Sequence, residues 1–179
     1  MTRYAGLLRG INVGGNKKIA MADLRKLVEG LGHADVKTLL QSGNVVFSSD
    51  SPDQAALAAE LERAIEAELG LSVGCLVRDG ADLARIVAAN PLGEIADNPS
   101  RQFVVFLSGP VDPAKLAEVE TLAKPGERLA AGEREVHMWL PDGAAETKLT
   151  HLLFQKRLGV TVATARNWNT VTKLATLLT

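Results

Sequence analysis

Residues 8–18, LRGINVGGNKK, hold three glycines, two asparagines and two adjacent lysines directly after an apolar run. Glycine lets the backbone approach a ligand closely, and exposed backbone N–H groups in such a turn can bind oxyanions. Lys17 and Lys18 add positive charge to the segment. Its further hydrogen-bond donors are Arg9, Asn12 and Asn16. The segment predicts a site for a small anion; the alternative is a polar connection whose glycines serve only the turn.

The spacing of these residues differs from two common phosphate-binding motifs. A P-loop requires glycine, four residues, glycine, and then lysine and Ser or Thr at once. Gly10 and Gly15 have that spacing, but Asn16 stands at the lysine position and Lys17 follows without a Ser or Thr. The GxGxxG pattern of dinucleotide-binding turns is absent as well. The segment therefore does not predict an NTPase.

A second polar segment, QSGN at residues 41–44, joins two predicted strands. Its amide and hydroxyl side chains are more than a two-residue turn needs, although turns favour the same residue types. Ser42 lacks the GxSxG context of a nucleophile elbow, and no histidine or acid close in sequence suggests a base. We interpret residues 41–44 as part of a binding site or as a structural turn.

The third polar segment is TARNWNTVTKL, residues 164–174, where periodicity predicts a helix over about 166–178. Arg166, Asn167 and Asn169 would then lie at a helix N-terminus, whose free N–H groups favour a carboxylate or phosphate. Asn and Thr are also ordinary capping residues, which is the structural alternative.

We expect the three segments to converge on one polar, positively biased pocket for a small anionic or nucleotide-like ligand. The predicted ligand-binding residues are Arg9, Asn12, Gly14, Gly15, Asn16, Lys17, Gln41, Ser42, Asn44, Arg166, Asn167, Asn169 and Lys173. The alternative function is a module that contacts a protein or a nucleic acid without catalysis. Catalytic residues, a cofactor and the oligomeric state are left unassigned.

Other residue types restrict the function further. His33, His137 and His151 form no metal-binding motif, so no metal site is predicted. The single cysteine, Cys75, stands in an apolar run and reads as a buried thiol. The sequence shows neither an apolar stretch of spanning length nor a signal peptide, so we expect a cytoplasmic protein without a membrane partner.

The net charge of −1 argues against a strongly basic nucleic-acid binder, but the charges are unevenly distributed. Residues 1–50 carry seven basic against four acidic side chains, residues 51–150 nine against seventeen, and residues 151–179 four against none. If the fold brought the two ends together, one face would favour anions; ordinary compositional scatter is the alternative.

The elements that must position these residues follow from hydrophobic periodicity and turn signals. The first part reads as strand 3–8, helix 21–31, strands 36–41 and 44–49, helix 54–69 and strand 71–78. This βαββαβ order predicts an α+β fold with a ferredoxin-like (split βαβ) antiparallel sheet over residues 1–79.

Residues 80–179 predict a second, smaller α+β unit followed by two C-terminal helices. Its elements read as helix 80–89, strand 101–107, helix 112–123, a hairpin of 128–131 with 135–140, and helices 144–158 and 166–178. No repeat of 20 to 50 residues is visible, which excludes a solenoid.

The βαββαβ order is also that of RNA-recognition motifs, which stack bases on aromatic residues of two strands. The corresponding strands here offer only Tyr4 and Phe47, so recognition of RNA by stacking is not expected.

Three stretches together resemble a bacterial family, domain of unknown function 1697: LLRGINVGGNKKIAMADLRKLVEGLG, TLLQSGNVVFSS and TARNWNTVTKLATLL. The resemblance extends from the first strand to the last helix. It implies a cytoplasmic α+β protein with a ferredoxin-like part, and it implies no activity.

Overall fold

A computed structural model describes residues 1–15 and 17–179 of the chain. These residues divide into two compact units. The N-terminal unit comprises Met1–Ala84 and Leu174–Thr179, and the C-terminal unit comprises Arg85–Lys173.

The N-terminal unit has the ferredoxin-like βαββαβ order that the sequence predicts. Its elements are β1 (Thr2–Leu8), α1 (Met21–Gly30), β2 (Ala34–Leu39), β3 (Asn44–Ser49), α2 (Gln54–Leu69) and β4 (Cys75–Asp79). The four strands form one antiparallel sheet in the order β2-β3-β1-β4. The predicted α+β class is confirmed.

The C-terminal unit repeats this order, which the sequence did not predict. After α3 (Gly80–Ala89), its elements are β5 (Gln102–Leu107), α4 (Pro113–Glu120), β6 (Arg128–Ala131), β7 (Glu135–Trp139), α5 (His151–Leu158) and β8 (Ala163–Asn167). The sheet order β6-β7-β5-β8 matches that of the first sheet, and α6 (Trp168–Leu177) follows β8 as α3 follows β4.

Two helix predictions for the C-terminal unit are wrong in part. Residues 144–158 form a short 3-10 helix, Ala144–Glu146, and then α5, because Thr147 is extended and Thr150 caps α5 by accepting the Leu153 N–H. The predicted helix over 166–178 begins at Trp168, because residues 163–167 pair with β5 as a strand. The β-branched residues Thr161, Val162 and Thr164 were the available strand signal.

The repetition extends to single residues at the ends of β4 and β8. Arg78 and Arg166 occupy matching strand positions, and each guanidinium donates to the carbonyl of the residue before it, at 3.0 and 2.9 Å. The following residues, Asp79 and Asn167, each cap the next helix by accepting a backbone N–H, at 2.9 and 3.0 Å. The two units therefore use one solution for the turn from strand to helix.

The core of the N-terminal unit lies between one face of its sheet and helices α1 and α2. Strand residues such as Leu8 and Phe47 pack there with Leu24 of α1 and Leu61 of α2, all of them fully buried. Burying a side chain of this size stabilises the fold by about 1.5–3 kcal/mol. Tyr4 packs against Phe47 in this core, with ring centroids 5.9 Å apart.

The sheet face opposite the C-terminal core carries polar side chains that are also buried. On β7, Glu135 and His137 are 0% and 1% exposed, and Glu135 accepts from Arg85 at 2.6 Å. Burial disfavours the charged Glu135, but the Arg85 hydrogen bond and charge outweigh it and lower its pKa. The His137 ring lies 6.3 Å from that of Trp168, and its Nδ1 has no hydrogen-bond partner among the described residues.

Replacing Gly43 with alanine should destabilise the protein by about 2–5 kcal/mol. Gly43 has a φ of 91°, and a Cβ there would lie 2.8 Å from Ile11 Cδ1 and 2.9 Å from Leu8 Cβ. The left-handed backbone costs about 1–2 kcal/mol for alanine, and overpacking adds about 1–3 kcal/mol. Gly14→Ala is the matched control, because Gly14 has a φ of 59° but open space around a Cβ. Urea unfolding measures both variants, and equal losses would contradict the steric part.

His137 should make the protein less stable as the pH falls from 7 to 5. Burial lowers the pKa of His137; the nearby Glu135 charge opposes this shift and the Arg85 charge adds to it. The unfolded chain therefore takes up a proton near pH 6.5 that the folded protein does not, which favours unfolding.

The test of this pH effect is the unfolding free energy of wild type and His137→Gln at pH 7, 6 and 5, measured in urea. The loss between pH 7 and 5 should be smaller in the variant. His33 and His151 are present in both proteins, so the difference between the two profiles reports His137. Parallel pH profiles would refute the assignment to His137.

Candidate functional site

The connection between β1 and α1, residues 9–20, is held in place by the side chain of Asn12. Its Nδ2 donates to the backbone oxygens of Ile19, at 3.0 Å, and Gln41, at 2.8 Å. Its Oδ1 accepts the Ile19 N–H at 2.8 Å. Asn12 has a φ of 56°, a conformation that asparagine tolerates better than most residues. One amide therefore joins both ends of the connection to the turn between β2 and β3.

These contacts border an open cavity of about 300 Å³, which we call the α1 cavity. It is lined by Asn12, Gly15, Lys18, Ile19, Ala20 and Gln41. Three of these residues, Asn12, Gly15 and Gln41, belong to the set predicted from the sequence. The structure thus brings the first and second polar segments together in one place.

The two adjacent lysines have different surroundings. Lys17 donates from Nζ to the carbonyl of Ser72 at 2.6 Å, so its ammonium group anchors the connection to the loop before β4. Lys18 is exposed and lines the cavity, and its ammonium group has no hydrogen-bond or ion-pair partner among residues 1–15 and 17–179. Lys18, which the predicted set omits, is the cation available to a ligand.

Helix α1 begins at the wall of this cavity without a side-chain cap. Its N-cap residue is Ala20, whereas the other five α-helices in the described residues have Asp, Asn or Thr side chains that accept an N-terminal N–H. The Asp23 and Leu24 N–H groups bond the carbonyl of Ala20. Within the described chain, the N–H groups of Met21 and Ala22 have no acceptor. This end of α1 carries positive partial charge that an anion can neutralise.

The polar side chains of the turn between β2 and β3 hold the turn itself. Asn44 is fully buried, and its Nδ2 donates to Leu39 O at 2.8 Å and to Ser42 Oγ at 3.1 Å. Ser42 is exposed but is not among the residues that line the α1 cavity. Of this segment, only Gln41 reaches the cavity.

Among the other predicted residues of the first segment, Arg9, Gly14 and Lys17 are not part of the cavity lining. Arg9 donates its backbone N–H to Gly74 O at 2.9 Å. Gly14 is exposed in the loop with a φ of 59°. Asn16 lies outside the described residues.

The third predicted segment belongs to the C-terminal unit, and its placement at a helix N-terminus is wrong for Arg166. This residue lies in strand β8 and is 6% exposed. Its guanidinium donates to Thr164 Oγ1 at 2.7 Å, and burial lowers its pKa to about 10, so it stays charged at neutral pH.

Its neighbours in the third segment do begin α6. Asn167 caps this helix, the exposed Asn169 contacts Ser100 Oγ at 3.4 Å, and Lys173 is exposed one turn further on. Convergence of this segment with the first two stays a prediction.

Several other features bear on the chemistry. In the part of the chain that the structure describes, no group of three or more His, Cys, Asp or Glu side chains could hold a metal ion. Burial, and secondarily the charge of Glu62, raises the pKa of the Cys75 thiol, which keeps it protonated. Tyr4 and Phe47, the aromatic residues considered for base stacking, are buried in the first core. No described helix combines the length and apolar composition needed to cross a bilayer.

Comparison with solved structures finds the conserved bacterial protein SP0830 from Streptococcus pneumoniae, with a TM-score of 0.78 and 27% sequence identity. The match covers 99% of each chain, so the two-unit architecture is common to both proteins. No curated protein matches the sequence.

A family model described as a protein of unknown function, DUF1697, matches residues 1–137, a range that contains the whole lining of the α1 cavity. The resemblance seen in the sequence is thereby confirmed, and the chain belongs to the DUF1697 family.

Proposed function

We propose that the protein binds a small anion, such as a phosphate monoester or an organic acid, in the α1 cavity. The observation that carries this proposal is the uncapped N-terminus of α1, which adjoins a cavity that also contains the Lys18 ammonium group. A helix N-terminus and a nearby cation both favour negative charge, and together they supply backbone donors and a full charge.

Comparison of the two units supports a role beyond folding for the β1–α1 connection. In the N-terminal unit this connection runs over residues 9–20, whereas the equivalent connection from β5 to α4 needs only residues 108–112. The first strand and first helix of this topology can therefore be joined by a much shorter segment. The shorter connection also ends in a capping residue, Asp112, which accepts from the backbone of Ala114 at 2.9 Å. The longer connection ends in Ala20, which leaves its helix open to a ligand.

The groups that line the cavity can bind an anion by donating hydrogen bonds to it. Besides Lys18 and the α1 backbone, Gly15 has a φ of 79° and is exposed, so its backbone is accessible. The described lining residues include no carboxylate, and the acidic residue in the first turn of α1, Asp23, is exposed and is not part of the lining. A volume of about 300 Å³ lies at the lower end for ligand pockets and suits a small molecule.

Replacing Lys18 with glutamine should weaken phosphate binding about tenfold or more. A hydrogen bond to a charged group contributes about 1.5–3 kcal/mol, and 1.4 kcal/mol corresponds to a factor of ten. Calorimetric titration with inorganic phosphate at constant ionic strength measures the affinity. Lys26→Gln is the control, because Lys26 is exposed on α1, is not among the cavity residues, and its substitution changes the net charge equally. Equal affinities of the two variants, or no binding by wild type, would count against the proposal.

Replacing Ala20 with aspartate should stabilise the protein while abolishing phosphate binding. Ala20 has φ −68° and ψ 136°, a normal N-cap conformation, so the new carboxylate can accept the open N–H groups of α1. A good N-cap contributes about 1 kcal/mol. The same carboxylate would occupy the proposed position of the anion and repel it.

Ala20→Asn separates the two effects of this substitution. The amide caps the helix without adding charge, so phosphate should bind more weakly than to wild type but better than to Ala20→Asp. Thermal unfolding with and without phosphate measures both quantities. An Ala20→Asp protein that phosphate stabilises as strongly as wild type would place the anion elsewhere.

A further inference from the structure

We infer that the anion bound in the α1 cavity carries an aliphatic chain, which contacts the exposed side chains of Val13 and Leu40. This inference rests on the proposed anion site and specifies its ligand class: a small amphiphilic anion, such as an alkyl phosphate.

The first observation is where the exposed apolar side chains lie. Within residues 1–15 and 17–179, the large hydrophobic residues that are exposed are Met1, Val13, Leu40, Ile95 and Leu152. Val13 is 65% exposed and Leu40 is 53% exposed. Although they are far apart in sequence, each directly adjoins a cavity residue, Asn12 or Gln41, and those two residues share a 2.8 Å hydrogen bond. Two exposed apolar residues are therefore direct chain neighbours of residues that line the cationic cavity.

The second observation is the backbone conformation of Leu40, which has a φ of 61°. This left-handed conformation suits glycine or asparagine and is unfavourable for leucine. An exposed leucine also gains little from packing, so neither the backbone nor the core accounts for this residue. In the C-terminal unit the equivalent connection, residues 132–134, has the polar sequence Gly-Glu-Arg. An apolar residue is thus not needed to close this hairpin.

The third observation concerns the kind of apolar group that the site would accept. The cavity lining contains no aromatic side chain, so a nucleobase would find no stacking partner among those residues. The apolar groups at hand are aliphatic, namely Ile19 in the lining and Val13 and Leu40, each of which adjoins a lining residue in the chain. Lys18 and the N-terminus of α1 complement the charge of the head group, and these side chains complement a hydrocarbon chain.

The test is a calorimetric titration of the full chain with methyl, butyl and hexyl phosphate at concentrations where the ligands are monomeric. Affinity should rise about two- to fourfold per methylene group, the upper value corresponding to full burial at about 0.8 kcal/mol. The variants Val13→Thr and Leu40→Asn should flatten this dependence and leave the affinity for methyl phosphate within about twofold. Both should fold, because Val13 is exposed, which leaves the threonine hydroxyl in water, and because asparagine tolerates the φ of Leu40.

The matched controls are Ile95→Ser and Leu152→Ser, which remove exposed apolar side chains elsewhere in the chain. They should keep the wild-type dependence on chain length. Equal affinities of wild type for methyl and hexyl phosphate would overturn this inference and leave the anion site standing. The inference would also be overturned if the control variants reduced the dependence of affinity on chain length as much as Val13→Thr and Leu40→Asn do. If neither methyl phosphate nor inorganic phosphate binds, both the anion site and the present inference fail.

Discussion

The side-chain amide of Asn12 donates two hydrogen bonds and accepts one, and these bonds hold the segments that line the α1 cavity. They join the beginning of the β1–α1 connection to its end, at Ile19, and to the turn at Gln41. Closing the loop of about eight residues from Asn12 to Ile19 costs roughly 2 kcal/mol in chain entropy beyond a constant. Hydrogen bonds of this kind contribute about 0.5–1.5 kcal/mol each, so three of them offset that cost. These hydrogen bonds also fix the position of the lining residues Lys18 and Ala20, which adjoin Ile19 in the chain.

Because the two units share one topology, a feature present in both can be attributed to the fold, and a feature present in one unit alone cannot. Both units build the same four-stranded sheet, and both end their last strand with a buried arginine followed by a capping Asp or Asn. The units differ in two connections: the one from the first strand to the first helix is longer in the N-terminal unit, residues 9–20 against 108–112, and the one from the third strand to the second helix is longer in the C-terminal unit, residues 140–150 against 50–53. The part of the N-terminal unit that exceeds the common plan is therefore the part that forms the cavity.

Local patterns predicted most elements because hydrophobic periodicity depends on neighbouring residues. Helices α1 and α2 and strands β1 and β3 were predicted almost to the residue. Strand β8 was missed because the helical pattern of α6 was extended backwards to Arg166, whose strand conformation depends on pairing with the distant Val104. The repeated topology could not be recognised in the sequence, because the two units share the order of their helices and strands and not a repeated sequence of 20 to 50 residues.

The site was predicted only in part, for a similar reason. Lys17 and Lys18 are indistinguishable in the sequence, and only the distant carbonyl of Ser72 decides which ammonium group is occupied. Asn44 resembles a ligand-binding residue in the sequence, yet its amide completes the turn. In both cases a contact between separated parts of the chain selects one of two roles that the residue type allows.

Several features around the α1 cavity are individually unfavourable for folding. Ala20 leaves helix donors without a cap, Leu40 adopts a left-handed backbone, and Val13 is exposed. Each costs from a few tenths of a kcal/mol to about 2 kcal/mol against a better residue at the same position. The other five described α-helices all have capping side chains, so a missing cap is not usual for the α-helices of this chain. Because these costs fall within two segments that one asparagine joins, a ligand that neutralises the donors and covers the apolar side chains would offset them together.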